Sequence, residues 1–188
     1  MKDEHNFIVV YSCWFASEFL LGRLRRSDET DRRRDDRHSL LIIWVAIMCA
    51  MPIVSIIAGT FPMPIVNAPW IRYAGLALII IGVIMRFWVI RSLGRFFTVD
   101  VAIREGHQLK TDGIYSLVRH PSYFASWLSF VGYGFHLNNW ISLMVISITM
   151  LLAFLNRIRV EEDVLVKQFG DEYLSYRQST KKIIPGVY

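Results

Sequence analysis

Two runs, Ser39–Gly59 and Ile71–Ile90, are almost free of charge and about twenty residues long, the length at which an α-helix crosses roughly 30 Å of hydrocarbon. Such runs leave a chain few places to fold other than a bilayer. The composition agrees, with 54% apolar residues and a mean hydropathy of +0.36. The expectation is an all-α integral membrane protein.

Three shorter apolar blocks, 7–21, 122–137 and 140–156, bring the expected count to about five transmembrane helices, with 39–59 and 71–90. At ~1.5 Å per residue the shorter blocks reach about 22–26 Å, so they rely on local thinning or on snorkelling flanks. Only Asn138-Asn139 separates the last two, which therefore read as a helical hairpin. The first block has no small-x-small cleavage site and its basic residues follow the apolar run, so it reads as a retained helix. Cys13 and Cys49 fall inside apolar helices and read as buried small hydrophobes. Their spacing suits no metal site.

Charge sets the expected orientation. The formal net charge of +5 is unevenly spread, and "RLRRSDETDRRRDDRH" alone holds seven arginines and five acids. The "FPMPIVNAPW" loop and the Asn138-Asn139 turn carry none. By the positive-inside rule, segments 22–38, 91–121 and 157–188 face the cytoplasm, with the N-terminus outside and the C-terminus inside. The acids interleaved in the Arg-rich stretch fit a loop facing lipid headgroups and argue against nucleic acid. With no internal repeat, residues 1–188 read as a single membrane domain. Glu18 and Arg86 lie within helices at similar depth. They read as a snorkelling pair, as a salt bridge joining two helices, or as the lining of a substrate route.

The cytoplasmic segments carry the chemistry. Val99–Ile103 reads as extended, and Thr111-Asp112-Gly113 as a turn. Pro121 suits a first helical position, leaving Arg119 and His120 at a helix start where unpaired N–H groups favour an anion. Arg157 and Glu161, four apart, share a helix face. Gly170 ends that helix, and "DEYLSYRQ" adds a short amphipathic one.

The succession "HQLKTDGIYSLVRHPSY", a membrane hairpin, and "NRIRVEEDVLVKQFGDEYLSY" resembles the isoprenylcysteine carboxyl methyltransferase family and its prokaryotic relatives over roughly residues 97–186. The resemblance implies an S-adenosylmethionine-dependent methyltransferase at the membrane–cytosol interface. Its cofactor pocket would be built on a cytoplasmic face, with no Rossmann domain, and the chain accordingly has no G-x-G-x-x-G. Carried over by motif, His107, Gln108, Leu109, Lys110, Tyr115, His120, Pro121, Ser122, Tyr123 and Glu161 contact the cofactor, and Arg157 steers the acceptor. Where eukaryotic members have a further contacting glutamine, this chain departs with Asp100. The implied partner is a lipophilic acceptor, foremost the carboxylate of a prenylcysteine-like molecule, presented among membrane lipids. A phospholipid or small-molecule amine methyltransferase on the same scaffold is one alternative. Another is an NADPH-dependent sterol-reductase-like enzyme, with Lys110 and Arg119 as candidates for the extra phosphate.

Overall fold

Residues 7, 9–18, 34–93 and 109–187 are described by a computed structural model, with backbone alone for 34–37. Helix α1 is helical over residues 9–18. It is followed by α2 (Arg34–Thr60), α3 (Trp70–Leu93), a 3-10 turn (Gly113–Ser116), α4 (Pro121–Leu137), α5 (Trp140–Phe169) and α6 (Asp171–Ser179). The described residues contain no strand, only an isolated parallel bridge between Val118 and Lys181.

Among the described residues, three helices are long and apolar enough to cross a membrane: His38–Thr60, Trp70–Leu93 and Trp140–Phe169. Their outer faces carry large apolar side chains that are exposed, among them Ile42, Met48 and Ile56 on α2, Ile84 and Trp88 on α3, and Met144 and Leu152 on α5. Exposure on this scale fits a lipid solvent, in which apolar surface needs no protein cover. It also corrects the expectation for the cysteines: Cys13 and Cys49 are both exposed, because in lipid an apolar helix need not turn its small hydrophobes inward.

The tightest crossing is α3 against α4, made possible by small residues. A Cβ on Gly75 would collide with the backbone of Gly132 and His136, and one on Gly132 would lie 2.7 Å from Gly75 O. Membrane helices gain no hydrophobic drive from one another, so close backbone approach of this kind supplies the attraction. Helix α1 packs on α4 through aromatic rings: Trp14 meets Phe130 at 4.9 Å and Tyr11 meets Tyr133 at 5.5 Å between centroids. Helix α2 is fixed to α5 where Ser142 Oγ donates to Val54 O at 2.7 Å.

At one end of the bundle the two uncharged connections lock together. Asn138 adopts φ 49° and caps α4, a left-handed conformation that asparagine tolerates. Its side-chain oxygen accepts from Ile65 N and Val66 N, and its amide donates to Val66 O. Asn139 caps α5 by accepting from Ser142 N at 3.0 Å. The expected hairpin turn is therefore present, and it also holds the proline-rich loop. Helix α2 includes the apolar span expected at Ser39–Gly59 and extends back to Arg34, and α5 runs unbroken to Phe169, ending at Gly170 with φ 52°.

Candidate active site

The other end of the bundle is built around the start of α4. His120 is its N-cap and Pro121 its first residue, where the missing N–H costs nothing. Upstream, Gly113 at φ 61° lets the chain turn into the 3-10 segment that buries Tyr115. The Tyr176 hydroxyl donates to Tyr115 O at 2.6 Å. Burial pushes the Tyr176 phenol up to about 12, so it stays a donor at neutral pH. Tyr115 is itself raised above the ordinary phenol range, first by burial and then by the Glu161 carboxylate.

The C-terminal segment returns to cover this corner. Arg119 N donates to Lys181 O at 2.9 Å, His120 N to Lys182 O at 3.1 Å, and Lys181 N to Leu117 O at 3.1 Å. The Arg119 guanidinium is turned the same way, donating to Arg177 O at 3.0 Å and to Thr180 O. Its Nε donates to Glu162 Oε1 at 3.0 Å. Arg119 thus staples the tail to the helix start.

Two adjacent carboxylates on α5 meet His120 from different sides. Glu162 Oε1 lies 3.3 Å from His120 Nε2, and Glu161 Oε2 lies 3.7 Å from Nδ1. Glu162 is closed in by Arg119 and His120. Glu161 Oε2, by contrast, is buried with no hydrogen-bond partner among the described residues. A buried anionic oxygen left in that state is costly, and it is the atom at which a cationic donor would be stabilised.

Glu161 lines a cavity together with Tyr115, His120, Pro121, Ser122 and Tyr123. The same cavity continues past Leu40, Ile43, Trp44, Phe130 and Phe154, so it has a polar and an apolar part. Glu18 and Arg86 also line it. They form the ion pair that was one of their three readings, at 2.6 Å.

Six of the residues singled out from the sequence, Tyr115, His120, Pro121, Ser122, Tyr123 and Glu161, therefore come together on one wall. Leu109 and Lys110 do not reach the lining, and Lys110 pairs with Asp112 at 2.8 Å near the surface. Arg157 is 1% exposed and stands behind the wall, donating to Ser39 Oγ at 2.7 Å and to the Tyr123 hydroxyl at 3.4 Å. His107, Gln108, Asp100 and the extended stretch at Val99–Ile103 lie outside the described residues. Sequence reasoning passed over Glu162. The doublet was its only signal: consecutive helical residues point about 100° apart, so one of the two acids had to face elsewhere.

Comparison with known proteins finds a family that the chain resembles. The sequence model of the isoprenylcysteine carboxyl methyltransferase (ICMT) family matches residues 75–167. Protein-S-isoprenylcysteine O-methyltransferase B of Arabidopsis thaliana is 38% identical over 120 residues, 63% of this chain and 61% of that protein. The Schizosaccharomyces pombe protein-S-isoprenylcysteine O-methyltransferase is 34% identical over 129 residues, 66% of this chain and 55% of that one. The chain thus spans 61% and 55% of the length of these two relatives. Among solved structures, the eukaryotic intramembrane Ras methyltransferase ICMT superposes with a TM-score of 0.63 at 27% identity, covering 76% of this chain and 52% of that one. The apolar helices and this intramembrane counterpart make the protein an integral membrane protein. Its segment 75–167, which holds both the start of α4 and the α5 carboxylates, is thus the part of the chain that is similar to the isoprenylcysteine carboxyl methyltransferase family.

Proposed function

We propose that this chain is an S-adenosylmethionine-dependent methyltransferase that methylates the carboxylate of a prenylcysteine-like acceptor at the membrane–cytosol boundary. One observation carries the reading: Glu161, whose buried Oε2 has no hydrogen-bond partner among the described residues, lines a cavity that joins polar residues to apolar ones. A methyl donor with an ammonium group and an acceptor with a lipid tail require these two surroundings side by side. The names borne by the relatives support the same acceptor class.

The orphaned carboxylate oxygen fits the cofactor's ammonium, and Tyr115 and Tyr123 offer ring faces to its adenine or its cation. Glu161, His120, Tyr115 and Tyr123 would hold the group, with Pro121 and Ser122 at the start of α4 completing this part of the lining. When bound, S-adenosylmethionine supplies a methyl carbon made electrophilic by a sulfonium. A carboxylate acceptor is already ionised near neutral pH, so no side chain has to remove a proton. The chain's task is alignment and exclusion of water. Arg157, bonded to the Tyr123 hydroxyl, acts on the pocket by fixing that ring, as a positioning residue.

The same proposal has five helices in one membrane domain and the N-terminus outside. The site then faces the cytosol, from which the cofactor enters, while the acceptor slides in from the inner leaflet. The test is an acceptor screen with methyl-labelled cofactor and the purified full chain, offering N-acetyl-S-farnesylcysteine beside phosphatidylethanolamine. Label should appear in the farnesylcysteine ester. Label in the amine lipid, or calorimetric binding of NADPH with none of S-adenosylhomocysteine, overturns the assignment.

A further inference from the structure

Arg86 of α3 and Glu18 of α1 share the cavity with His120 and Glu161. Both of the guanidinium's partners gather on a single nitrogen. Nη1 contacts the Glu18 oxygens at 2.7 and 2.6 Å and also the Ser126 hydroxyl. Nε is buried and has no hydrogen-bond partner among the described residues. A pair whose sole task was to tie α1 to α3 has no reason to leave that N–H unmade, because an unsatisfied buried donor is costly. The surroundings supply the second clue. Leu40, Ile43 and Phe154 line the cavity along with the pair, so Arg86 is a cation within reach of both its apolar and its polar residues.

We propose that Arg86 binds the acceptor's carboxylate through its Nε edge, while Glu18 and Ser126 hold the guanidinium from the Nη1 side. This rests on the prenylcysteine-like acceptor argued above and names the residue that recognises its charged head. A guanidinium has a second edge that matches a carboxylate geometrically even when the first is engaged. An amphiphile with a prenyl tail and a terminal carboxylate has its charge where tail and head meet, which is where a cation bordering apolar side chains is useful. Glu18 keeps the guanidinium neutralised when no acceptor is bound, so the site tolerates an empty state in lipid surroundings. Methylation then removes the acceptor's charge. The ester keeps only a neutral acceptor atom for Nε, so Arg86 favours substrate over product and assists release.

The experiment uses the full chain in lipid nanodiscs loaded with S-adenosylhomocysteine. Equilibrium binding of N-acetyl-S-farnesylcysteine is compared with that of its methyl ester and carboxamide, in wild type and in Arg86→Gln, Arg86→Lys and the double variant Arg86→Gln/Glu18→Gln. The double variant removes both charges together, so no buried carboxylate is left alone to unfold the protein, and S-adenosylhomocysteine affinity reports the integrity of the remaining site. Wild type should bind the acid at least about tenfold more tightly than the ester, the scale of a charge-assisted hydrogen bond. The double variant should bind acid and ester within about twofold of each other, with S-adenosylhomocysteine affinity unchanged; Arg86→Lys should restore part of the preference. A purely structural pair would leave the acid-to-ester ratio where it was. A double variant that binds S-adenosylhomocysteine and keeps the full preference overturns the role of Arg86 and leaves the methyltransferase reading intact. A wild type that neither methylates farnesylcysteine nor prefers its acid overturns both.

Discussion

At the scale of single residues, Glu161 and Glu162 show how neighbours on a helix acquire different work. Glu162 Oε1 accepts from Arg119 and meets His120, both of them buried. Removing its charge leaves a guanidinium buried without its carboxylate, a change that typically costs about 3–5 kcal/mol when a buried pair is broken. Glu162→Gln should therefore lower the thermal midpoint in detergent by several degrees and make the tail after Ser179 easier to proteolyse. Glu161→Gln removes a carboxylate whose Oε2 has no hydrogen-bond partner among the described residues and lies 3.7 Å from His120 Nδ1, so folding should lose less than at Glu162. Its thermal midpoint should fall less than that of Glu162→Gln, while S-adenosylhomocysteine affinity falls about tenfold or more, as a charge-assisted hydrogen bond is lost. Calorimetry and thermal unfolding on the two variants check the division. If Glu161→Gln binds S-adenosylhomocysteine as wild type does, the cofactor assignment fails.

Between elements, the α3–α4 crossing depends on the absence of side chains at Gly75, Gly82 and Gly132. Gly75→Ala would drive a Cβ into backbone atoms of α4, which cannot swing aside as a side chain can, whereas a Cβ at Gly59 on α2 would have nothing within 4 Å. Overpacking of this kind costs about 1–3 kcal/mol, so Gly75→Ala should lower the thermal midpoint while Gly59→Ala leaves it unchanged or raises it. Equal midpoints for the two would show that α3 and α4 do not meet this closely. The residues that end or begin elements were legible in the sequence because they act locally: Pro121 opens α4, Asn138 and Asn139 make the hairpin, Gly170 closes α5. Helix α2 reaches back to Arg34, ahead of the apolar span, because hydropathy marks where lipid begins, while the backbone ladder can continue through charged residues into water. On the site, the H-P-S-Y block and Glu161 were legible as motif. The return of Lys181 and Lys182 to Leu117–His120 was not, since backbone pairing across some sixty residues leaves no local pattern. The depth of Arg157 was also hidden, because an i,i+4 pairing on a helix says which face a residue takes but not what packs over it.

For the whole molecule the question is which end meets the cytosol. One end has the interlocked loops, where Asn138 and Asn139 bind the proline-rich connection and Arg72 is the only basic residue between Phe61 and Arg86. The other end gathers Arg91, Lys110, Arg119 and the charged turns of α5 and α6 around the cavity. Basic residues resist translocation, so the cavity end should remain inside. A water-soluble methyl donor would then meet its site directly, and an acceptor's tail would reach it from the inner leaflet past Leu40, Ile43 and Trp44. Single cysteines at Asn67 and Gln178, both exposed and near opposite ends of the bundle, test this in a background with Cys13→Ala and Cys49→Ala. A membrane-impermeant maleimide applied to intact cells should label Asn67→Cys at once and Gln178→Cys only after permeabilisation. The reverse pattern would put the cavity on the far side of the bilayer from the cytosolic methyl donor, and the proposed reaction could not run there even with every side chain of the site in place.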